Sequence, residues 1–196
     1  RPSIDCKVCV TAQHREMLDS VLDIFKLKPD YDLDIMTPKQ TLTTITTKAL
    51  TGLESVFAEA KPDIVLVHGD TTTTFAGSLA AFYNQVAIGH VEAGLRTYDK
   101  YSPFPEEMNR KLTGQLADLH FCPTVANAEN LCAEGIKENV FITGNTVIDA
   151  MRYTVNDSYE LDKELEGKRI ILMTCHRREN YGEPMRNIFR AVRKTA

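Results

Sequence analysis

Three acidic residues of this 196-residue chain stand where an α/β protein places its chemistry. Asp70 comes soon after an apolar run at 64–67, and Glu92 directly follows a second apolar run at 86–91. Both runs are typical of buried parallel strands. Glu106 follows two closely spaced prolines at a predicted helix start. Ligands of open α/β sheets bind beyond the carboxyl ends of the strands, so the three carboxylates are predicted to meet in one crevice.

Carboxylates that gather in a cleft repel one another and need a bound ligand or a cation to hold them there. For each acid taken alone, a helix cap or a solvated loop charge is the simpler interpretation. The placement of all three at element ends on one edge favours a site.

The stretch HGDTTTT at 68–74 joins a predicted strand to a predicted helix. Gly69 permits a tight turn or a positive φ, and the threonines can cap the helix while its N–H groups face an anion. A plain helix cap is the alternative. The stretch is not a P-loop, because the lysine and the second glycine of that motif are missing.

A second cluster, His176-Arg177-Arg178-Glu179, follows a predicted strand at 169–174. Arginine forks and an imidazole suit a diphosphate, and a surface charge cluster is the alternative. The other histidines are predicted to be ordinary capping or buried residues: His14, His68, His90 and His120.

The elements that must position these residues alternate along the chain. Predicted strands lie at 6–11, 64–67, 86–90, 120–122, 140–143 and 169–174. Predicted helices lie at about 11–26, 37–61, 72–83, 106–116 and 124–134, from 146 into a charged linker, and at the end of the chain. Such alternation predicts a parallel, doubly wound sheet, and a domain boundary is expected between 145 and 167.

The composition is that of an ordinary globular protein, with 43% hydrophobic and 26% charged residues. The formal net charge of -4 argues against a nucleic-acid or acidic-membrane surface. No signal-peptide pattern and no apolar run near the roughly 20 residues of a membrane span is seen. The five cysteines show no metal-ligand spacing, and we expect reduced, mostly buried thiols in a cytoplasmic protein.

Six stretches together resemble one family over nearly all of the chain. They are TAQHREML at 11–18, VHGDTTTTFAGSLAAFY at 67–83, GHVEAGLRT at 89–97, SPFPEEMNR at 102–110, GNTVID at 144–149 and HRRE at 176–179. They resemble the bacterial non-hydrolysing UDP-N-acetylglucosamine 2-epimerases.

The resemblance implies two Rossmann-like domains of the glycosyltransferase-B type, with the active site between them. The chain is then expected to be truncated at both ends. Residues 1–145 are most of the first domain without its first strand, 146–166 are a linker helix or hinge, and 167–196 begin the second, nucleotide-binding domain. A missing strand is expected to leave an unpaired sheet edge or an exposed apolar face.

The family's reaction interconverts UDP-N-acetylglucosamine and UDP-N-acetylmannosamine through 2-acetamidoglucal and UDP. By motif, Asp70, Glu92 and Glu106 match the family's catalytic acids, and His176 matches its histidine on the diphosphate side, with Arg177 beside it. Gln13, His14, Arg177 and Glu179 match residues of an allosteric UDP-N-acetylglucosamine site. The resemblance further implies a homodimer, no metal or other cofactor, and a product used in cell-surface polysaccharide.

Two other functions stay open at this point. A glycosyltransferase of the same fold would also use a UDP-sugar and a carboxylate base, but the motifs around Glu92 and Glu106 disfavour it. The chain could also be a non-catalytic fragment that binds a nucleotide sugar.

Overall fold

A computed structural model describes residues 3–13, 15–155, 160, 162–175 and 180–195. The chain forms two compact units, Arg1–Val155 and Asn156–Ala196. The strands of the first unit are β1 (Cys9–Val10), β2 (Tyr31–Asp32), β3 (Ile64–His68), β4 (Ala87–Val91), β5 (Leu119–Cys122) and β6 (Val140–Ile142). Its helices are α1 (Arg15–Phe25), α2 (Leu42–Ala60), α3 (Thr72–Tyr83), α4 (Glu106–Leu116), α5 (Val125–Ala133) and α6 (Thr146–Thr154). The second unit contains a 3₁₀ turn (Lys163–Leu165) and α7 (Glu183–Thr195).

The strands pair in parallel, as predicted. One sheet has the order β3-β4-β5-β6, and β1 and β2 form a separate pair. Val67 lies opposite His90, and His90 lies opposite His120, so these three side chains share one face. The carboxyl ends of β3 and β4 therefore lie side by side and hold the turn after His68 next to Glu92.

Helix α3 packs between α2 and α4 through small residues. Ala76, Gly77, Ser78, Ala80 and Ala81 are buried, and a side chain at Gly77 would contact Val67 Cγ1 at 3.4 Å. Leu53, Val56 and Phe57 of α2 complete this core with Ile88. Because the small residues let α3 approach the sheet closely, its first turn lies directly against the end of β3.

β3 is an edge strand of the larger sheet, and the face of β3 that carries Ile64 and Leu66 is exposed to solvent. Leu66 is 63% exposed and Ile64 is 41% exposed. An unpaired edge or an exposed apolar face was predicted for a sheet without its first strand, and among the described residues β3 has both features.

Three predictions about secondary structure were wrong. The helix predicted to begin at 37 begins at Leu42, where the Thr41 side chain caps it, and Lys39 has a φ of 57° that no α-helix accommodates. The predicted strand at 169–174 is not a strand, because the described part of the second unit offers no second strand to pair with it. The Asp-rich segment before Met36 was predicted to be a link, but it contains β2.

Two smaller differences concern the first strand and the thiols. The strand predicted at 6–11 is reduced to Cys9–Val10, the two residues that pair with β2. All five cysteines are free, but Cys6 and Cys132 are exposed, so the thiols are less buried than predicted.

Among the described residues, none of the helices has the length and apolar character that a membrane crossing requires.

Candidate functional site

The turn between β3 and α3 is fixed from both sides. The Thr71 side chain accepts a hydrogen bond from the Thr74 N–H at 3.2 Å, and the Thr74 hydroxyl donates to the His68 carbonyl at 2.7 Å. Gly69 has a φ of 74°, which glycine adopts without strain. The threonines thus cap α3, as predicted, and they also hold the turn that carries Asp70.

Asp70 is held by α4. Oδ2 of Asp70 accepts hydrogen bonds from Arg110 Nη2 at 2.6 Å and Nε at 2.9 Å. The Asn109 side-chain amide donates to the Asp70 carbonyl at 2.9 Å. Both partners come from one rigid helix, so the carboxylate has a defined direction.

Glu92 lies directly beside this turn. A side chain at Gly69 would be 3.5 Å from Glu92 Oε2, and His68 Nε2 is 3.7 Å from the same oxygen. Glu92 itself has a φ of 65°, a conformation that non-glycine residues adopt at a cost of about 1–3 kcal/mol, most often at functional sites.

The adjacent residues Glu106 and Glu107 point in different directions from the first turn of α4. Glu107 is fully buried and accepts hydrogen bonds from the Thr97 and Tyr98 N–H groups, each at 3.0 Å. Burial raises the pKa of Glu107, but these hydrogen bonds and Arg110 outweigh it and hold the pKa below its ordinary value. Glu106 is half-buried and has no hydrogen bond or ion pair to any residue that the structure describes. Glu106 and Arg110 are four residues apart and are therefore neighbours on the surface of α4, and Arg110 contacts Asp70.

Two histidines support this edge, although both were predicted to be ordinary capping or buried residues. His90 is buried under the turn, with Nε2 2.8 Å from the Gly69 carbonyl oxygen. A carbonyl only accepts, so Nε2 carries the proton. Burial lowers the pKa of His90 to about 4, which keeps the ring neutral. His68 is neither capping nor buried: its side chain is 60% exposed and lies between Glu92 and the Thr146 hydroxyl, 3.4 Å away.

An open groove of about 580 Å³ adjoins Glu92. It is lined by His68, Glu92, Asn145, Thr146, Val147 and Ala150. The Asn145 side chain caps α6 by accepting the Val147 N–H at 3.1 Å. The GNTVID stretch therefore places a helix start at the same edge as Glu92. Among the described residues, no cluster of histidine, cysteine and acidic side chains is arranged to hold a metal ion.

The loop that follows Glu92, at 93–98, is clasped to α5, which here means that hydrogen bonds hold it against that helix. Arg96 donates to both carboxylate oxygens of Glu134, at 2.8 and 2.7 Å, and these bonds lower the pKa of Glu134. The Tyr98 hydroxyl and the Gly94 carbonyl both bond to Asn130, at 2.6 and 2.9 Å. The loop is therefore a fixed part of the first unit.

Arg110, Glu107 and His90 were not predicted as site residues. Of the three, only Glu107 belongs to the buried side of α4, which consists of Glu107, Asn109, Thr113 and Gly114. A helix that buries its polar side is typical of a functional site.

Four of the predicted site residues lie outside the described residues: His14, His176, Arg177 and Glu179. Gln13 is described and lies half-buried in the turn before α1. The structure thus brings Asp70, Glu92 and helix α4, which begins at Glu106, to one edge of the first unit.

Comparison with known proteins gives a consistent result. A family model described as UDP-N-acetylglucosamine 2-epimerase matches residues 1–196. The UDP-N-acetylglucosamine 2-epimerase of Bacillus subtilis is 62% identical over 98% of this chain and 52% of its own length. That of Escherichia coli K12 is 55% identical over 97% of this chain and 54% of its own length.

Two solved structures share the fold. A Staphylococcus aureus MnaA structure with UDP has a TM-score of 0.91 and 61% identity over 100% of this chain and 52% of its own. The Neisseria meningitidis UDP-GlcNAc 2-epimerase bound to UDP-GlcNAc has a TM-score of 0.89 and 48% identity over 100% and 56%. The predicted α/β, Rossmann-like fold of the glycosyltransferase-B type is confirmed.

The chain spans about half the length of the relatives it matches. The match to the family model extends from the first residue to the last, and the identities to the Bacillus subtilis and Escherichia coli proteins exceed 50% over nearly the whole chain. The chain belongs to the UDP-N-acetylglucosamine 2-epimerase family.

Proposed function

We propose that the full-length protein carrying this chain interconverts UDP-N-acetylglucosamine and UDP-N-acetylmannosamine. The observation that carries the proposal is that Asp70 and Glu92 lie at neighbouring strand ends and that Arg110, on the helix that begins at Glu106, holds Asp70. The names of the relatives give the substrate class.

The C2 hydrogen of the sugar is a poor acid, because no carbonyl lies beside it. Breaking of the C1–O bond gives C1 positive character, and loss of the C2 proton then yields 2-acetamidoglucal and UDP. Protonation of C2 on the opposite face and attack of a UDP oxygen on C1 complete the reaction. One carboxylate must therefore stabilise positive charge while others move a proton.

The contacts support a division of these roles. Asp70 is directed by two hydrogen bonds from Arg110 and is assigned to charge stabilisation. Glu92 and Glu106 accept no hydrogen bond from any described residue, so their oxygens are open to a bound sugar. They are assigned to proton transfer on the two faces of C2.

Proton NMR in deuterated water with UDP-N-acetylglucosamine tests the proposal on the full-length protein. We expect loss of the C2 proton signal together with the appearance of the second epimer. Glu129→Gln, which removes an exposed carboxylate of α5, is the control variant and should exchange C2 hydrogen like the wild type. A wild-type protein that binds the nucleotide sugar without exchanging C2 hydrogen would contradict the proposal and leave a transferase or a binding module.

The family resemblance supports further proposals for the full-length protein. His176 and Arg177 hold the diphosphate, and Gln13, His14, Arg177 and Glu179 bind a second, activating UDP-N-acetylglucosamine. The protein works as a cytoplasmic homodimer without a cofactor and supplies N-acetylmannosamine for cell-surface polysaccharide. The reaction from pure UDP-N-acetylmannosamine tests the activation. Its rate should stay near zero until a trace of UDP-N-acetylglucosamine is added, and a full rate without a lag would exclude the activating site.

A further inference from the structure

We infer that Glu107 is a positioning residue that holds Asp70 in its working direction through Arg110. The inference rests on the proposed function, because it assumes that Asp70 acts on the substrate. Glu107 itself is fully buried beneath the site and is closed to a ligand.

The contacts form one connected path. The Glu107 carboxylate accepts the N–H groups of Thr97 and Tyr98, both at 3.0 Å, and Arg110 Nη1 at 3.3 Å. The other edge of the same guanidinium donates to Asp70. Three segments are thus joined: the loop after β4, helix α4 and the turn after β3.

The geometry of arginine explains why Glu107 affects direction as well as stability. A guanidinium is planar, so a partner that fixes one edge also fixes where the other edge points. The Arg110 side chain is largely buried and has little room to choose another direction. Without the Glu107 charge, the guanidinium keeps its hold on Asp70 but loses the anchor that sets its plane.

A buried ion pair with a purely structural role would behave differently. It would lower stability on removal and leave the turnover of folded protein unchanged. A positioning role instead predicts that kcat falls while KM changes little, because the lost interaction is one that matters in the transition state.

The experiment is a double-mutant cycle for kcat in the full-length protein. We expect Glu107→Gln to lower kcat by roughly 10-fold or more in the wild-type background, since misplacement of a working group by about 1 Å can cost 10²-fold. In an Asp70→Asn background the same substitution should cost less than about 2-fold, because residues that act as a unit are non-additive.

Two outcomes overturn the inference. One is an unchanged kcat in Glu107→Gln, and the other is an equal fold-loss in both backgrounds, which would show that Glu107 acts independently of Asp70. If Glu107→Gln does not fold, Glu107→Asp takes its place in the cycle, because aspartate keeps the charge but its shorter side chain withdraws the carboxylate from Arg110.

Leu53→Ala serves as the stability control. Leu53 is buried in α2 within the core, and its truncation is expected to cost about 2–5 kcal/mol. It should lower the melting temperature without lowering kcat at temperatures where the protein is folded. An equal loss of kcat in Leu53→Ala would show that the effect of Glu107→Gln comes from lowered stability, and it would overturn the inference.

The proposed function and the positioning role fail in different ways. A wild-type protein that exchanges no C2 hydrogen overturns the proposed function, and the positioning role falls with it. If the wild-type protein turns over but the fold-losses in kcat of Glu107→Gln and Asp70→Asn multiply in the double variant, only the positioning role is overturned. Amide exchange of Thr97 and Tyr98 should accelerate in Glu107→Gln in either case, and unchanged exchange would contradict the path itself.

Discussion

The sharpest test of the clasped loop is the pair of substitutions Gly94→Ala and Gly135→Ala. Both glycines have positive φ, 85° and 90°. A Cβ at Gly135 would have no atom within 4 Å, whereas a Cβ at Gly94 would overlap the Asn127 carbonyl oxygen and lie 2.7 Å from its carbon. The two positions therefore share the backbone conformation and differ in the clash.

The magnitudes follow from this difference. A left-handed conformation costs alanine about 1–2 kcal/mol, which applies to both variants. Overpacking adds about 1–3 kcal/mol at Gly94 alone. Asn127 cannot move away at low cost, because it is buried and completes the capping box of α5 with Thr124. Gly94→Ala should therefore reduce the free energy of unfolding by about 1–3 kcal/mol more than Gly135→Ala.

Urea unfolding followed by circular dichroism measures both free energies on the 196-residue chain, with the midpoint shifts compared at equal m-values. Equal losses of unfolding free energy in the two variants would refute the reasoning, because they would mean that α5 moves away from the loop at little cost. In the full-length protein, Gly94→Ala should also lower turnover, since Glu92 lies two residues before the clash.

Three further predictions concern charge. Asp70→Asn, Glu92→Gln and Glu106→Gln should each lower kcat by roughly 10²-fold or more in the full-length protein without unfolding it, and wild-type turnover in all three would contradict the three-carboxylate mechanism. His176→Asn should slow C1–O cleavage and weaken UDP binding together; loss of C2 exchange alone would instead make His176 the base. Because the pKa of His90 falls from 6.5 to about 4 on folding, the unfolded chain takes up the proton first, and urea unfolding should show stability falling as pH drops from 6.5 towards 4, by about 3 kcal/mol. His90→Gln should flatten that slope, and an unchanged slope would assign it to other groups.

The sequence predicted the central β3-α3-β4 unit well, and the reason is physical. Its strands are continuous apolar runs, and α3 begins after a threonine that caps it. Local patterns of this kind need no knowledge of distant partners. The placement of Asp70 and Glu92 at neighbouring strand ends followed from those runs alone.

Elements that depend on distant partners were not predictable in the same way. β2 is only two residues long and exists through its pairing with β1. The run at 169–174 has the composition of a strand, but an isolated run has no ladder to join. Composition decides whether a segment suits a strand, and the partner decides whether it becomes one.

Helix α4 shows why the supporting residues escaped prediction. Hydrophobic periodicity would turn Leu112 towards the core, yet Leu112 is 41% exposed and the neighbouring Thr113 is buried. Glu106 and Glu107 are identical in type and adjacent, so only the rotation of the helix decides which one is buried. That rotation is set by contacts with the loop at Thr97 and with Asp70, which no local pattern contains.

The charges at this edge suggest how the two halves of the substrate divide. Asp70 and Glu107 share the guanidinium of Arg110, and Arg96 is paired with Glu134. Among the described residues, Glu106 has no cationic partner and Glu92 has only His68, whose Nε2 is 3.7 Å away. Such an excess of negative charge favours positive character at a sugar carbon and opposes a diphosphate. Among the described residues, both guanidiniums at this edge, those of Arg96 and Arg110, are already paired with carboxylates. We propose that the leaving UDP is held by cations from outside this cluster, a role that the family resemblance assigns to His176 and Arg177.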